Sequence, residues 1–203
     1  MNVSRQIGWS NESNLLYQIL KQLTRLTAVI FGLKPKYKVF TALLTQNGTS
    51  DELILSSGAV TKGVTYRIDG ASDGDFSNVG ALSNEASTYF IATNNEVPNS
   101  YGSATLLYDP GAPVAIVLEN TIGNIWFEYL TFGEYTVNSN NLFIEDKTAV
   151  DIDAFSYDNI LSYSFISNQT IFPENMINIT SQLSGGPIDS ILAKNRIEIR
   201  VYN

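Results

Sequence analysis

The stretch APVAIVLENTIGNIWFEYLTFGEYTV, residues 112–137, decides the fold class of this chain. It consists of β-branched, aliphatic and aromatic runs that are separated by Gly-Asn and Gly-Glu pairs. Such runs, bounded by turn residues, are typical of antiparallel strands. We therefore predict two successive hairpins, one centred on Gly123-Asn124 and the other on Gly133-Glu134.

The same pattern of short β-favouring runs and turn residues extends outward over residues 36–203, which predicts a mainly β fold of antiparallel, sandwich-like modules. The predicted strands are 37–45, 64–68, 88–93, 104–108, 113–120, 124–130, 134–137, 149–155, 160–166 and 196–202. Residues 50–111 are predicted to form a small β module inserted in a loop of a larger β domain, which comprises 36–49 and 112–203. A strand-exchanged arm is the alternative interpretation of 50–111.

Residues 1–35 have a different pattern, which predicts an N-terminal α-helix. Apolar residues recur there with the heptad spacing of 3, 4, 3 and 4, and Gly32 and Pro35 follow as end signals. This seam either packs on the chain's own β body or forms a short oligomerising coiled coil of three or more copies. The predicted oligomerisation residues are Leu16, Ile19, Leu23, Leu26 and Ile30.

Charge divides the chain in the same way. The 203 residues carry a net charge of -8. Residues 1–38 hold six basic residues and one acidic residue, a net +5, while residues 39–203 hold six basic and nineteen acidic residues, a net -13. This asymmetry either indicates a basic docking arm, with Arg5, Lys21 and Arg25 as anchor charges, or reflects only the use of Lys and Arg on the solvent-exposed face of a helix.

The composition also disfavours several functions. The chain has no Cys and no His, so thiolate and imidazole chemistry, disulfides and zinc sites built on these residues are excluded. A charge of -8 disfavours binding to nucleic acid or to an anionic membrane. There is neither an apolar run of about 18 residues nor a signal-peptide pattern. We predict a protein that is not an enzyme and holds no cofactor or metal.

Three segments offer alternatives to this prediction. The Asp-rich segment 69–75 either binds Ca²⁺ or, as we favour, forms a turn. The Asp151 and Asp153 carboxylates share one side of a predicted strand, and a glycoside hydrolase using such a pair is the less favoured function. Aromatic residues cluster around the second predicted hairpin, either as a sugar-stacking surface or as core. The candidate surface-contact residues are Trp126, Phe127, Tyr129 and Tyr135.

Several strings resemble virion structural proteins of tailed bacteriophages that infect Bacteroidota and of related environmental phages. They are SRQIGWSNESNLLYQILKQLTRLT (4–27), YKVFTALLTQNGT (37–49), GVTYRI (63–68), DFSNVGA (75–81), FIAT (90–93), APVAIVLENTIGNIWFEY (112–129), GEYTVNSNNLF (133–143) and IEIRVYN (197–203). Residues 155–190 carry no part of this resemblance.

The resemblance implies a head fibre, collar or tail fibre subunit, located in the virion and made in the host cytoplasm. Its implied partners are copies of itself, as a homotrimer or higher oligomer, and other virion proteins that contact the N-terminal segment. A fibre tip that binds a receptor or a host surface glycan is the alternative. The resemblance supplies no catalytic residue.

Overall fold

The computed structural model describes residues 18, 19, 21, 36–46, 48, 49, 51–144, 146–153, 176–183 and 186–203. The chain divides into two compact units, Met1–Lys36 and Tyr37–Asn203. In the first unit, Gln18, Ile19 and Lys21 are helical and exposed. The predicted coiled coil stays a prediction, because most of its residues lie outside the described part of the chain. These are Leu16, Leu23, Leu26 and Ile30 of the seam, and Arg5 and Arg25 of the anchor.

The second unit consists of antiparallel strands, which confirms the mainly β fold. The strands are β1 (Tyr37–Thr45), β2 (Leu53–Leu55), β3 (Thr65–Asp69), β4 (Tyr89–Ile91), β5 (Thr105–Tyr108), β6 (Val114–Asn120), β7 (Ile125–Thr131), β8 (Glu134–Ser139), β9 (Thr148–Ile152), β10 (Met176–Thr180), β11 (Gln182–Leu183), β12 (Gly186–Pro187) and β13 (Ala193–Tyr202). The predicted strand 160–166 lies outside the described residues.

Two of the sheets enclose one hydrophobic core and form a β-sandwich. Their strand orders are β6-β1-β13-β9 and β10-β8-β7. In β1 every second side chain, Phe40, Ala42 and Leu44, is fully buried, as expected for a strand with one face on a core. The Phe40 ring lies 6.1 Å from the ring of Phe127 on β7, which links the two sheets through the core.

A second hydrophobic core lies under a four-stranded sheet of order β2-β5-β3-β4, whose strands all fall between residues 53 and 108. Tyr66 of β3 and Phe90 of β4 are buried on one face of this sheet. The connection between β3 and β4 covers that face with Phe76 and Val79, which flank or belong to a short 3₁₀ helix. This sheet is therefore covered by a loop rather than by a second sheet.

The two chain segments that lead to and from the second sheet are joined by Gln46, which is only 1% exposed. Its Nε2 donates to the carbonyl oxygens of Gly48 (2.6 Å) and Gly111 (3.1 Å), and its Oε1 accepts from the Ser190 amide. A Cβ atom on Gly48 would lie 2.1 Å from the Pro110 carbonyl oxygen. Only glycine therefore allows the two segments to approach so closely.

The hairpin predicted at Gly123-Asn124 is wrong. β6 pairs with β1 and β7 pairs with β8, so the connection passes from one sheet of the sandwich to the other. The Asn120 side-chain oxygen accepts from the amides of Ile122 and Gly123, and Ile122 is buried in the core. Burial of an apolar side chain between the sheets thus takes the place of strand pairing.

The second predicted hairpin is confirmed. β7 and β8 pair in antiparallel register down to Thr131 and Glu134, with Phe132 and Gly133 in the turn. Asp189 lies beside this turn and accepts hydrogen bonds from the Gly133 amide (2.7 Å) and the Tyr135 hydroxyl (3.0 Å). Burial is the main cause that raises the pKa of Tyr135, and the Asp189 charge adds to it.

Candidate ligand-binding depression

An open-sided depression of about 310 Å³ lies where the second sheet meets the sandwich. Its walls come from the loop before β4, from β4 itself, from the start of β7 and from the residue after β8. The lining residues are Leu82, Ser83, Ser87, Thr88, Tyr89, Asn124, Trp126 and Asn140.

The depression is built on a stacked aromatic pair. The rings of Tyr89 on β4 and Trp126 on β7 have centroids 5.0 Å apart and an angle of only 14° between their planes. Trp126 points out of the sandwich because its neighbours Ile125 and Phe127 are buried in the core and side chains alternate along a strand. The pair therefore joins the outer side of β7 to the second sheet.

Polar groups next to the aromatic pair hold Trp126 in place. Its indole Nε1 donates to Glu128 Oε2 at 3.3 Å, and the same oxygen accepts from Asn138 Nδ2 at 2.7 Å. Asn138 Nδ2 also lies 2.9 Å from Thr136 Oγ1. Because Asn138 and Thr136 are almost fully buried, these contacts fix the Glu128 carboxylate beside the indole Nε1.

Tyr89 is held from the other side. Its pKa is raised to about 12, mainly by burial and then by the negative charge of Glu128, so the hydroxyl keeps its proton at neutral pH. The Arg67 guanidinium lies 6.0 Å from the Tyr89 ring centroid and pairs with Glu52 at 3.3 Å.

Two further hydrogen bonds lock the walls together. Asn124 Nδ2 donates to the Tyr89 carbonyl oxygen at 2.9 Å, and the Phe127 amide donates to Thr65 Oγ1 at 3.1 Å in a buried position. Each bond joins β7 or its approach to the second sheet. The depression is therefore a preformed feature of the described body, lined by hydroxyl, amide and aromatic groups without a charged side chain.

The structure separates the four candidate surface-contact residues. Trp126 lines the depression, whereas Phe127 and Tyr135 are fully buried in the sandwich core, so their prediction as surface contacts is wrong. The cause is strand alternation, which directs Phe127 inward when Trp126 points outward. Tyr129 is half-buried, and its hydroxyl donates to Asp189 at 2.9 Å.

Sequence reasoning missed the partners of Trp126. Tyr89 lies in the predicted strand 88–93 next to the buried Phe90, so alternation alone would have placed its side chain on the opposite face. Nothing in the sequence pairs that face with Trp126. Asn124 is predicted only as a turn residue, and Asn140 carries no prediction.

The Asp-rich segment 69–75 is used to fasten loops. Asp73 Oδ1 accepts from the Ser103 amide and hydroxyl, both at 2.9 Å. Asp75 accepts from the hydroxyl and the amide of Ser77 and from Asn99 Nδ2. These hydrogen bonds, above all the one from the Ser77 hydroxyl, lower the pKa of Asp75 to about 2. Within the described residues, no group of three or more acidic side chains is placed to hold a metal ion.

The second carboxylate pair, Asp151 and Asp153, contacts one guanidinium. Arg196 Nε donates to Asp153 at 2.8 Å, and Arg196 Nη2 lies 3.4 Å from Asp151. The hydrogen bond from Arg196 lowers the pKa of Asp153. The general acid of a glycoside hydrolase requires a raised pKa, the opposite direction to that of Asp153.

The described body is thus an antiparallel β protein with two cores and a neutral aromatic depression between them. Comparisons with protein-family models, with curated proteins and with solved structures gave no match. In the described part of the chain, no helix combines the length and the apolar character needed to cross a membrane.

Proposed function

We propose that this chain is a non-enzymatic structural subunit of a tailed-bacteriophage virion, of the fibre, decoration or collar type. Copies assemble through the N-terminal helix as a homotrimer or higher oligomer, and the β body projects from the particle. The basic N-terminal segment contacts other virion proteins, with Arg5, Lys21 and Arg25 as anchor charges. The protein is made in the host cytoplasm and acts in the virion, and its function requires no cofactor, nucleic acid or membrane.

The observation that carries this proposal is the apolar outer strand of the sandwich. Among the described strands, β6 has a neighbour on one side only, β1. Ile116, Val117 and Leu118 in its middle are 41%, 38% and 58% exposed. An edge strand with consecutive exposed apolar side chains favours association with another chain. A second copy of this protein would cover it.

The N-terminal segment offers a second observation in support of assembly. Ile19 belongs to the predicted heptad seam, is helical, and is 50% exposed within the single chain. An apolar seam residue with an exposed side chain is available to the same residue of other copies. The seam and the β6 edge would then both be buried by assembly.

The mass of the intact protein in solution tests the proposal. We expect light scattering to give three or more times the 22.4 kDa of the chain. Ile19→Asp places a charge in the seam and should reduce the mass to that of one chain or shift assembly to higher concentration. Leu118→Lys at the β6 edge should also weaken assembly.

Each variant has a matched control. Gln18→Asp changes the neighbouring exposed helical residue, and Glu119→Lys changes the neighbouring exposed residue of β6. Both controls should keep the wild-type mass. A wild-type protein that runs as a single chain, or variants that assemble as well as their controls, would contradict the proposal.

A further inference from the structure

We propose that the depression between the two cores binds a neutral oligosaccharide, with Trp126 as the stacking residue and Tyr89 as the ring that supports it. This goes beyond the structural role above and does not depend on it. The volume of about 310 Å³ lies at the lower end of the roughly 300–1,000 Å³ found for small-ligand sites. A single sugar ring or a short oligosaccharide end suits this size.

The aromatic pair supplies the apolar side of the site. A sugar ring has one face of C–H groups, which packs on an aromatic ring because that surface leaves water on contact. Tyr89 and Trp126 both line the depression, and their rings stack on each other with centroids 5.0 Å apart. Because the Arg67 guanidinium also lies over the Tyr89 ring at 6.0 Å, Trp126 is the ring that can offer a face to a ligand. Glu128 accepts from the Trp126 indole and Arg67 lies over the Tyr89 ring, so the pair is held in place and little conformational freedom is lost on binding.

The polar lining matches hydroxyl groups. Ser83, Ser87 and Thr88 carry hydroxyls, and Asn124 and Asn140 carry amides. Each of these groups can both donate and accept, as sugar hydroxyls do. Several such groups around one aromatic surface can orient a ligand that has many hydroxyls and no charge.

The charge of the lining excludes ionic ligands. None of the lining residues is charged, so an anionic sugar would find no cation in the depression. The Glu128 carboxylate, which accepts from the Trp126 indole, and the -13 net charge of residues 39–203 would repel an anionic sugar further. A cationic ligand would meet a carboxylate that already accepts from Trp126 and Asn138.

The wall that carries the hydroxyls is built in an unusual conformation. Ser87 has a φ of 63°, in the left-handed region that non-glycine residues seldom adopt. Its amide donates to the Ile68 carbonyl oxygen at 2.8 Å, which ties this turn to the second sheet. The residue is thereby held beside Tyr89, and backbone strain of this kind is often found at binding sites.

The test is a printed array of neutral and acidic oligosaccharides, probed with the labelled full chain. We expect signal on neutral sugars and none above background on acidic ones. The bound sugar is then titrated in its free form into the ¹⁵N-labelled protein. The indole resonance of Trp126, assigned with Trp126→Phe, should shift during this titration.

Trp126→Ala should weaken binding at least about tenfold, because stacking residues at the centre of a site carry most of its affinity. Phe132→Ala is the matched control, since Phe132 is an aromatic residue of the same hairpin that is 56% exposed and lies outside the depression. It should bind as the wild type does. Asn140→Ala removes an exposed lining side chain and should weaken binding in a protein of unchanged stability.

An array without neutral-sugar signal overturns the inference, as does binding to acidic sugars alone. Equal binding by a folded Trp126→Ala and by Phe132→Ala also overturns it. Light scattering on the same samples separates this result from the structural proposal, because loss of sugar binding with an unchanged mass affects the depression alone.

Discussion

The two cores of the β body are closed in different ways. In the sandwich, sheets cover the core on both sides, and its buried side chains alternate along strands such as β1. In the second sheet, the connection between β3 and β4 forms the cover, with one short 3₁₀ helix and one isolated bridge between Asp75 and Ser100. Backbone groups in such a cover are paired by scattered hydrogen bonds, such as that from the Thr93 amide to the Val79 carbonyl oxygen, and not by a regular ladder.

Asp and Asn side chains of the cover satisfy further backbone groups. Asn84 Oδ1 accepts from the Phe76 amide, and Asn78 both donates to the Val97 carbonyl and accepts from the Asn99 amide. Backbone polar groups near a core need such partners. The sandwich is closed by apolar packing between paired strands, whereas the cover of the second sheet combines the buried side chains of Phe76 and Val79 with hydrogen bonds from polar side chains.

The largest loss of stability is expected from a substitution in the sandwich core. Phe127→Ala should lower the free energy of unfolding by about 3–5 kcal/mol, because it removes a fully buried ring in contact with Phe40. Denaturant unfolding followed by circular dichroism measures this change. Phe132→Ala, in the exposed turn of the same hairpin, should change it by less than about 0.5 kcal/mol. Similar losses from both variants would contradict the assigned burial.

An intermediate effect is expected where the two regions join. Gln46→Ala removes the partners of the Gly48 and Gly111 carbonyls and of the Ser190 amide, and should cost about 2–3 kcal/mol. Amide exchange should accelerate in both regions, because Gln46 contacts segments of each. Thr49→Ala, an exposed position on the same connection, serves as the control and should be nearly neutral. Acceleration confined to one region would argue against Gln46 as the joint.

The smallest effect, and the one that distinguishes the regions best, is the pH response of the cover. The pKa of Asp75 falls from 3.8 to about 2 on folding, so its carboxylate stabilises the fold above pH 3.8. This contribution is lost as the pH falls through 2. Thermal melts of wild type and Asp75→Asn should differ by a constant amount above about pH 4.

Below that pH, the two curves should converge, and the Ser77 amide resonance of the wild type should titrate with a midpoint near the folded pKa of Asp75. A difference between the variants that persists unchanged to pH 2 would contradict the hydrogen bonds assigned to Asp75. Resonances of the sandwich core, such as that of Ile197, should show no matching titration.

Much of the fold could be predicted from local pattern. The predicted strand 37–45 coincides with β1, and the hairpin predicted around Gly133-Glu134 forms with its turn one residue earlier, at Phe132-Gly133, because the two flanking runs pair with each other. β2 and β10 were missed because LIL is too short to show a period, and MINIT mixes Asn with apolar residues. The choice between hairpin and sheet crossing at Gly123 depended on where Ile122 is buried, which a local pattern does not contain.

The candidate site shows the same division. Trp126 was selected because it is an aromatic residue in a β segment, but Phe127 and Tyr135 were selected for the same reason and are buried. The residues differ only in whether their side chains point toward the core or away from it. Asp73 and Asp75 were recognised as turn residues, yet their partners Ser103 and Asn99 are distant in the chain.

The amino-acid sequence alone therefore determined the mainly β class and most strand positions, because period-two alternation and turn residues act over a few neighbouring positions. The tertiary structure decided which strands pair, which aromatic residues enter a core, and that Tyr89 meets Trp126 at 5.0 Å. Those outcomes depend on contacts between segments far apart in the chain. Once one side chain of a strand is buried by such a contact, alternation directs its neighbour in the strand to the opposite face.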